Sequence, residues 1–504
     1  MLESLNLQKN STAQRNYTHP KISGIVVAGL KGGTGKTVIS LGIIANWIAQ
    51  GFNVSVFKKG PDYIDAGWLA TAAKKPCYNL DTYLVSPEQI LHSFFTHAEL
   101  SDIAVIEGNR GLFDGIDIHG STSTAEISKL LKQPVLLCLD CSKTTCTMAA
   151  LVCGCKAFDP QVNICSIILN QVAGSRHTTI LKNSIEYYSG IPVIGAIPKM
   201  NTQVFPERHM GLLPAQEHEW ASNAITISAQ TIKNNVDLNR LLEIAHNSNE
   251  LTSKNKTDSS SIHIQSNPSQ IDTQYDHQLI IGIAKDSAFQ FYYPDNIEAL
   301  EKLGAKIVYF SPLIHETIPN VDAVYIGGGF PETHAAILSN NVRMRSVFKQ
   351  LVEQGMPIYA ECGGLMYMGQ TLVVNHIPYS MTGILPISFE LKDKPQGHGY
   401  TSLQVDRDNP YFPVGTEIKG HEFRYSMVTD WHGTNSDLVC AMHRGVGIVN
   451  KRDGLVYQNV FASYTHVHAL GTPCWATAII QQAIKFKHNK KGQSIQSMPC
   501  PSFS

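Results

Sequence analysis

An apolar run, Gly24–Ala28, passes directly into Gly29-Leu30-Lys31-Gly32-Gly33-Thr34-Gly35-Lys36-Thr37 and then into an apolar stretch with helical spacing. No other feature restricts the fold as much. Such a loop works only where a strand delivers the chain to the start of a helix. The glycines let backbone N–H groups fold around phosphate oxygens that face the helix N-terminus. Lys36 supplies a cation, and the Thr37 hydroxyl is suited to ligate Mg²⁺. The spacing departs from the common phosphate loop, which would need glycine where Leu30 sits.

A chain of 504 residues exceeds what one hydrophobic core holds, so two domains are expected. Short apolar runs alternate with helical patterns in both halves, the signature of parallel sheets covered by helices. Strands are expected at Gly24–Ala28, Val54–Phe57, Ile103–Ile106, Val135–Leu139 and Ile164–Leu169, then at Ile280–Ala284, Lys306–Phe310, Ala323–Ile326 and Pro357–Ala360. Between them, residues 246–277 are rich in Ser, Asn, Lys and Thr and read as a flexible linker, because they lack the apolar area to offset their ordering entropy. The reading is therefore a tail at 1–21, an ATP-binding domain at 22–245, a linker at 246–277, a second domain at 278–488 and a tail at 489–504. A net charge of -1 gives no electrostatic reason to expect nucleic acid or an anionic membrane as partner. The chain shows no apolar N-terminal segment and no apolar run long enough to span a bilayer, so a cytoplasmic location is expected. Five cysteines crowd 138–155, but their spacing repeats no C-x-x-C pair and they read as small apolar thiols.

Carboxylates follow the phosphate loop at expected strand ends: Asp62 and Asp65 after Gly60-Pro61, Glu107 after Ile106, and Asp114 before Gly115. At the C-terminal ends of parallel strands they face the ligand crevice, where they can hold Mg²⁺ against a nucleotide. In the second half, Pro357–Ala360 leads into Glu361-Cys362-Gly363-Gly364, a strand–nucleophile–helix elbow that exposes the thiol. Its helix N-terminus is expected to lower the thiol pKa. Gly327-Gly328-Gly329 ends a neighbouring strand, and the Gly328 and Gly329 N–H groups suit a tetrahedral oxyanion. His466, in Tyr464-Thr465-His466-Val467-His468, offers a base.

The loop resembles the variant of the dethiobiotin synthetase, ParA and nitrogenase-iron-protein superfamily, and Lys31 matches the extra lysine of the ParA branch. Gly60-Pro61-Asp62-Tyr63-Ile64-Asp65, Asn79-Leu80-Asp81, Ser123-Thr124-Ala125, Ile168-Leu169-Asn170 and Glu207-Arg208-His209-Met210-Gly211-Leu212 together resemble the cobyrinic acid a,c-diamide synthase family. The resemblance implies two α/β domains with doubly wound parallel sheets, the second a flavodoxin-like class I glutamine amidotransferase domain. It implies an ATP- and glutamine-dependent carbon–nitrogen ligase that amidates the a and c acetates of cobyrinate through an acyl phosphate. It also implies that Lys31 to Thr37 bind Mg-ATP with Asn170 at the adenine, and that Thr37, Asp62 and Glu107 hold Mg²⁺. Tyr63, Asp65 and Asp114 belong to the substrate region, Lys58 faces the acyl phosphate, and Cys362 and His466 release ammonia from L-glutamine. His468 stands where many triad amidotransferases have glutamate, which leaves the third member of the triad open. Asn109-Arg110 and Gly397-His398-Gly399-Tyr400 are similar instead to a branch thought to amidate sirohaem, and a nickel-sirohydrochlorin is a third tetrapyrrole with the same acetates. Small-molecule partners are expected, and the ATPase resemblance is compatible with a homodimer. A ParA-like nucleotide switch is the reading from another class, but it would have no use for Cys362 and His466.

Overall fold

The computed structural model describes residues 22–199, 207–208, 211–212, 221–251 and 278–496. The tail at 1–21, residues 252–277 of the linker, positions His209 and Met210 of the Glu207–Leu212 motif, and residues 497–504 lie outside them.

Seven strands of the first half form one parallel sheet, in the spatial order Cys77–Leu80, Val54–Lys59, Ile103–Glu107, Gly24–Gly29, Val135–Asp140, Ile164–Val172 and Val193–Pro198. Apolar side chains cover both faces of this sheet. Phe57, Phe94, Ile106 and Leu137 are buried on one, and Trp47, Trp68, Val105 and Ile168 on the other. Full burial on both faces is why these strands read as unbroken apolar runs rather than alternating ones. The loop strand Gly24–Gly29 lies between Ile103–Glu107 and Val135–Asp140, so Glu107 and Asp140 come to flank the phosphate loop.

The second half builds a ten-stranded sheet. Ala305–Phe310, Leu279–Ala284, Ala323–Ile326, Ile358–Glu361 and Val460–Ser463 are parallel neighbours in that order. The sheet then continues antiparallel through Arg452–Tyr457, Leu438–Arg444, Gly397–Val405, Glu417–Arg424 and His466–Val467. Parallel winding was expected throughout; it holds for the strands that carry the elbow, while the rest pair as antiparallel neighbours, several of them adjacent in the chain. A separate four-stranded sheet includes Thr371–Val374 and Ile387–Leu391.

Two expected boundaries shift. The helix Leu238–Leu251 runs into the stretch read as linker, and the helix Cys474–Gln496 runs eight positions beyond 488 into the stretch read as tail. Both helices are anchored by apolar residues at their starts, Leu241 and Ala245 in one and Trp475, Ile479 and Ala483 in the other. Once begun, each turn adds a backbone hydrogen bond without a new nucleus, which carries a helix into polar sequence.

Candidate active site

Gly33 (φ 73) and Gly35 (φ 87) both take left-handed backbone in the loop, and a Cβ on Gly35 would overlap the Asn170 amide. Asn170 donates to the Thr34 carbonyl at 2.9 Å and accepts from the Gln171 N–H at 2.9 Å. Its side chain thus braces the loop. Lys36 reaches across the loop to the carbonyls of Arg110 (2.9 Å) and Lys31 (3.3 Å). Lys31 itself is largely exposed and pairs with Asp140 at 3.2 Å.

Beneath the loop the Thr37 hydroxyl donates to Glu107 Oε1 at 3.0 Å, while Glu107 Oε2 is buried without a hydrogen-bond partner. An orphaned buried carboxylate oxygen beside a loop threonine fits a Mg²⁺ ion. Among the described residues no group of three His, Cys, Asp or Glu side chains is placed to hold a metal alone. The ion would then depend on Thr37, Glu107 and nucleotide phosphates, the usual division of labour for Mg²⁺.

Lys58 is fully engaged. Its ammonium donates to Asp65 (2.7 Å), Glu107 (2.8 Å) and the Gly108 carbonyl (3.2 Å), which uses all three protons. Burial would lower its pKa, but Asp65 and Glu107 outweigh that and raise it. In this structure Lys58 thus bridges two carboxylates. Its neighbour Lys59 lines the open cavity instead, with a pKa lowered by burial and then by Lys58. Asp62 caps the helix Tyr63–Ala73, accepting from the N–H groups of Ile64 (2.9 Å) and Asp65 (3.0 Å). Burial and the adjacent Asp65 push its pKa up to about 7. Asp114 binds the Gly111 N–H at 2.8 Å and shares the cavity wall.

Cys362 stands at φ 46 and ψ −95 between the strand Ile358–Glu361 and the helix Gly363–Met368. Such backbone is costly for a residue with a side chain and is typical of nucleophile elbows. Because the strand Ile358–Glu361 lies between Ala323–Ile326 and Val460–Ser463, the glycine loop and the His466 segment emerge on either side of the elbow. The Gly329 nitrogen lies 3.1 Å from where a Cβ on Gly363 would sit, and a Cβ on Gly328 would overlap the His466 ring. Burial pushes the Cys362 thiol up to about 12, against the opposing pull of Arg424. Burial thus opposes the lowering expected from the helix N-terminus, and a six-residue helix offsets little of the desolvation. Burial also brings the His466 pKa down to about 3.

His468 does not orient His466. It faces Asp295 (3.5 Å) and packs on Tyr293. The acid nearest His466 is Glu361, whose Oε2 lies 3.9 Å from an otherwise unpartnered Nδ1. Tyr325 and the Val467 N–H hold Glu361 in place (2.9 and 3.1 Å), and burial raises its pKa to about 8. Behind the loop, buried Asp453 accepts from Ser463, Tyr464 and Thr465 and fixes the segment carrying His466. Sequence reading passed over both acids. Adjacency to Cys362 was the only signal for Glu361, and Asp453 gave none. Arg424 is buried over the Tyr464 ring at 3.8 Å and donates to the carbonyls of Ser426 and Gly447.

Tyr63 lines the cavity with Asp62 and Asp114 and also reaches the second half. Although it belongs to the phosphate-binding half, its ring stacks on Phe291 (5.0 Å, 4°) and packs against His466 (5.4 Å) and His421 (5.5 Å). One cavity of about 530 Å³ is lined by Lys59, Asp62, Tyr63 and Asp114 from the first half and by His421 and His466 from the second.

Family comparison agrees with this division. Residues 25–212 match the CobQ/CobB/MinD/ParA nucleotide binding domain, and residues 280–473 the CobB/CobQ-like glutamine amidotransferase domain. Proteins described as cobyrinate a,c-diamide synthase are similar over nearly the whole chain. That of Magnetococcus marinus is 39% identical over 90% of this chain and 96% of its own length. Those of Methanobrevibacter smithii (39%; 89% and 96%) and Archaeoglobus fulgidus (34%; 92% and 98%) are similar to the same extent. The chain belongs to the cobyrinate a,c-diamide synthase family. As a member of the cobyrinate a,c-diamide synthase family it is a glutamine-dependent carbon–nitrogen ligase with a nucleotide-binding domain and a glutamine amidotransferase domain. No described helix is long and apolar enough to cross a membrane.

Proposed function

We propose that this ligase amidates peripheral acetate carboxylates of a tetrapyrrole, the a and c acetates of cobyrinate, with ATP as activating co-substrate and glutamine as nitrogen source. The observation that carries the reading is the single cavity shared by Lys59, Asp62 and Asp114 on one side and His466 on the other. A carboxylate is inert to ammonia because an oxide dianion would have to leave. Its oxygen first attacks the γ-phosphorus of ATP, ADP departs, and the mixed anhydride has phosphate as a good leaving group. Mg²⁺ bound at Thr37 and Glu107 would offset phosphate charge. Lys59, rather than Lys58, is the cation free to face the acyl phosphate.

In the second centre Cys362 attacks the glutamine amide carbon as His466 takes the thiol proton. The Gly328 and Gly329 N–H groups receive the oxyanion, and His466 returns the proton as NH₃ leaves. Water then hydrolyses the thioester to glutamate. Glu361 serves as the acid that orients His466. Because His466 is neutral until it takes a proton, ammonia leaves unprotonated into the cavity and attacks the acyl carbon, expelling phosphate. The domain assignment follows this division, with the ATP site in the half that begins at residue 22 and the glutaminase in the half that begins at residue 278. A homodimer and a cytoplasmic setting accord with a ligase acting on small molecules.

A second substrate reading rests on one observation. Arg110, His398 and Tyr400, from the two segments that depart from the common family pattern, all line the same cavity. Sirohaem, or a nickel-sirohydrochlorin, is therefore the alternative acceptor. Protein with Mg-ATP and glutamine is offered cobyrinate and sirohaem in parallel, and products are weighed by mass spectrometry. Diamidated cobyrinate supports the first reading; amidated sirohaem beside untouched cobyrinate replaces it with the second. Cys362→Ala is expected to abolish glutamine-driven turnover while added ammonium still supports amidation, and Glu361→Gln to slow only the glutamine-driven rate, about tenfold or more. Equal loss with both nitrogen sources would sink the two-centre scheme.

A further inference from the structure

The phosphate loop and the glutaminase base are joined by an unbroken set of contacts. Thr37 donates to Glu107 at 3.0 Å, Lys58 bridges Glu107 (2.8 Å) and Asp65 (2.7 Å), and Asp65 lies in the first turn of the helix that begins at Tyr63. The Tyr63 ring leaves that turn for the other domain. It stacks on Phe291, tilts against Tyr293 at 4.6 Å, and touches His421 and His466. Tyr293 is hydrogen-bonded to His421 Nδ1 at 3.2 Å, and His421 stacks on His466 at 4.8 Å and 18°. Every link from Thr37 to Tyr63 is an ion pair, a hydrogen bond or one helical turn, so the turn cannot shift without moving the ring. The ring in turn packs against the His466 imidazole at 5.4 Å, and no hydrogen bond holds Nδ1 of that imidazole.

We infer that Tyr63 is a positioning residue for His466, supplied by the nucleotide half, and that filling the phosphate loop changes glutaminase activity through it. The inference rests on the glutaminase reading above. A phosphate-bound Mg²⁺ taking the open Glu107 Oε2 would draw charge from the carboxylate whose other oxygen holds Lys58, weakening that ion pair. Lys58 would then lean further on Asp65, re-aiming the first turn and the Tyr63 ring. Such coupling requires an element with two arrangements that both sites bias, and in this proposal that part falls to the Tyr63 turn.

The test reads Cys362 directly. A glutamine-mimicking diazoketone (6-diazo-5-oxo-L-norleucine) alkylates a competent glutaminase cysteine, and intact mass gives the rate. Labelling is measured with and without Mg²⁺ and the β,γ-imido analogue of ATP, whose binding is followed separately by thermal shift. In the natural chain the bound nucleotide is expected to change the rate about tenfold. Tyr63→Ala should bring the ratio of the two rates close to one while the nucleotide still binds, and Tyr63→Phe, which keeps the ring stack, should restore it. If Tyr63→Ala does not fold, Tyr63→Leu keeps the bulk without the ring and serves in its place. A ratio in the Ala or Leu variant equal to that of the natural chain overturns the inference, as does a ratio of one in the natural chain. Absence of labelling under every condition would instead overturn the glutaminase reading itself.

Discussion

Burial favours the neutral form of both Cys362 and His466. With the thiol pushed up to about 12 and the imidazole down to about 3, proton transfer between them is unfavourable until a substrate replaces the lost solvation. In the absence of added glutamine the nucleophile should therefore be protected. Alkylation of the Cys362 peptide by iodoacetamide is expected to be slow and to rise about tenfold per pH unit between pH 7 and 9, since the thiolate fraction grows that way below the pKa. A plateau below pH 8 would mean a thiolate already formed and a different resting state. Lys58 shows the same logic with opposite sign. Two carboxylates keep a buried ammonium charged and hold it between them. The sequence could mark Lys58 and Lys59 as a pair of cations but could not say which one faces the cavity.

At the level of elements, the chemistry depends on what three strand ends deliver. The glycine loop follows Ala323–Ile326, the elbow follows Ile358–Glu361, and the His466 segment follows Val460–Ser463. Close approach explains the glycines: a Cβ at Gly364 would sit 2.5 Å from the Ile326 carbonyl oxygen, and one at Gly328 would overlap His466. Gly328→Ala is expected to displace His466 and lower glutaminase activity by about 100-fold, while ammonia-driven amidation persists. Parallel assays with glutamine and ammonium check this, and a proportional fall in both would contradict it. Strand–loop–helix order was legible from the residues because glycine, cysteine and apolar runs mark it. The partner of each strand was not.

At the level of the molecule, the two halves meet through polar contacts as well as rings. Glu298 accepts from Tyr78 (2.6 Å) and faces His97 (3.2 Å), Ser93 bonds Asp295 (3.2 Å), and Tyr400 donates to Asp81 (2.6 Å). Burial alone would raise the Glu298 pKa, but His97 and Tyr78 bring it down to about 2. A folded pKa below the unfolded value of about 4.3 gives stability that is full above roughly pH 5 and lost as pH falls through the folded pKa. Glu298→Gln should therefore cost about 1–2 kcal/mol near neutrality, with the gap to the natural chain closing below pH 4. Urea unfolding at pH 7, 5 and 3.5 measures it. A gap independent of pH would show that the carboxylate charge contributes nothing at this interface.

The residues alone determined the phosphate loop, the cysteine elbow, the two-domain division and the family, because each depends on local order: glycines where backbone must turn or approach a ligand, and apolar runs where a strand must be buried. Tertiary structure decided the rest. That Asn170 braces the loop, that Lys58 is engaged and Lys59 open, that Glu361 rather than His468 lies beside His466, and that Tyr63 crosses to the other domain are all matters of which strand lies next to which. Long-range neighbours such as Tyr63 and His466 are fixed by the packing of two sheets, and no spacing along one chain encodes that contact.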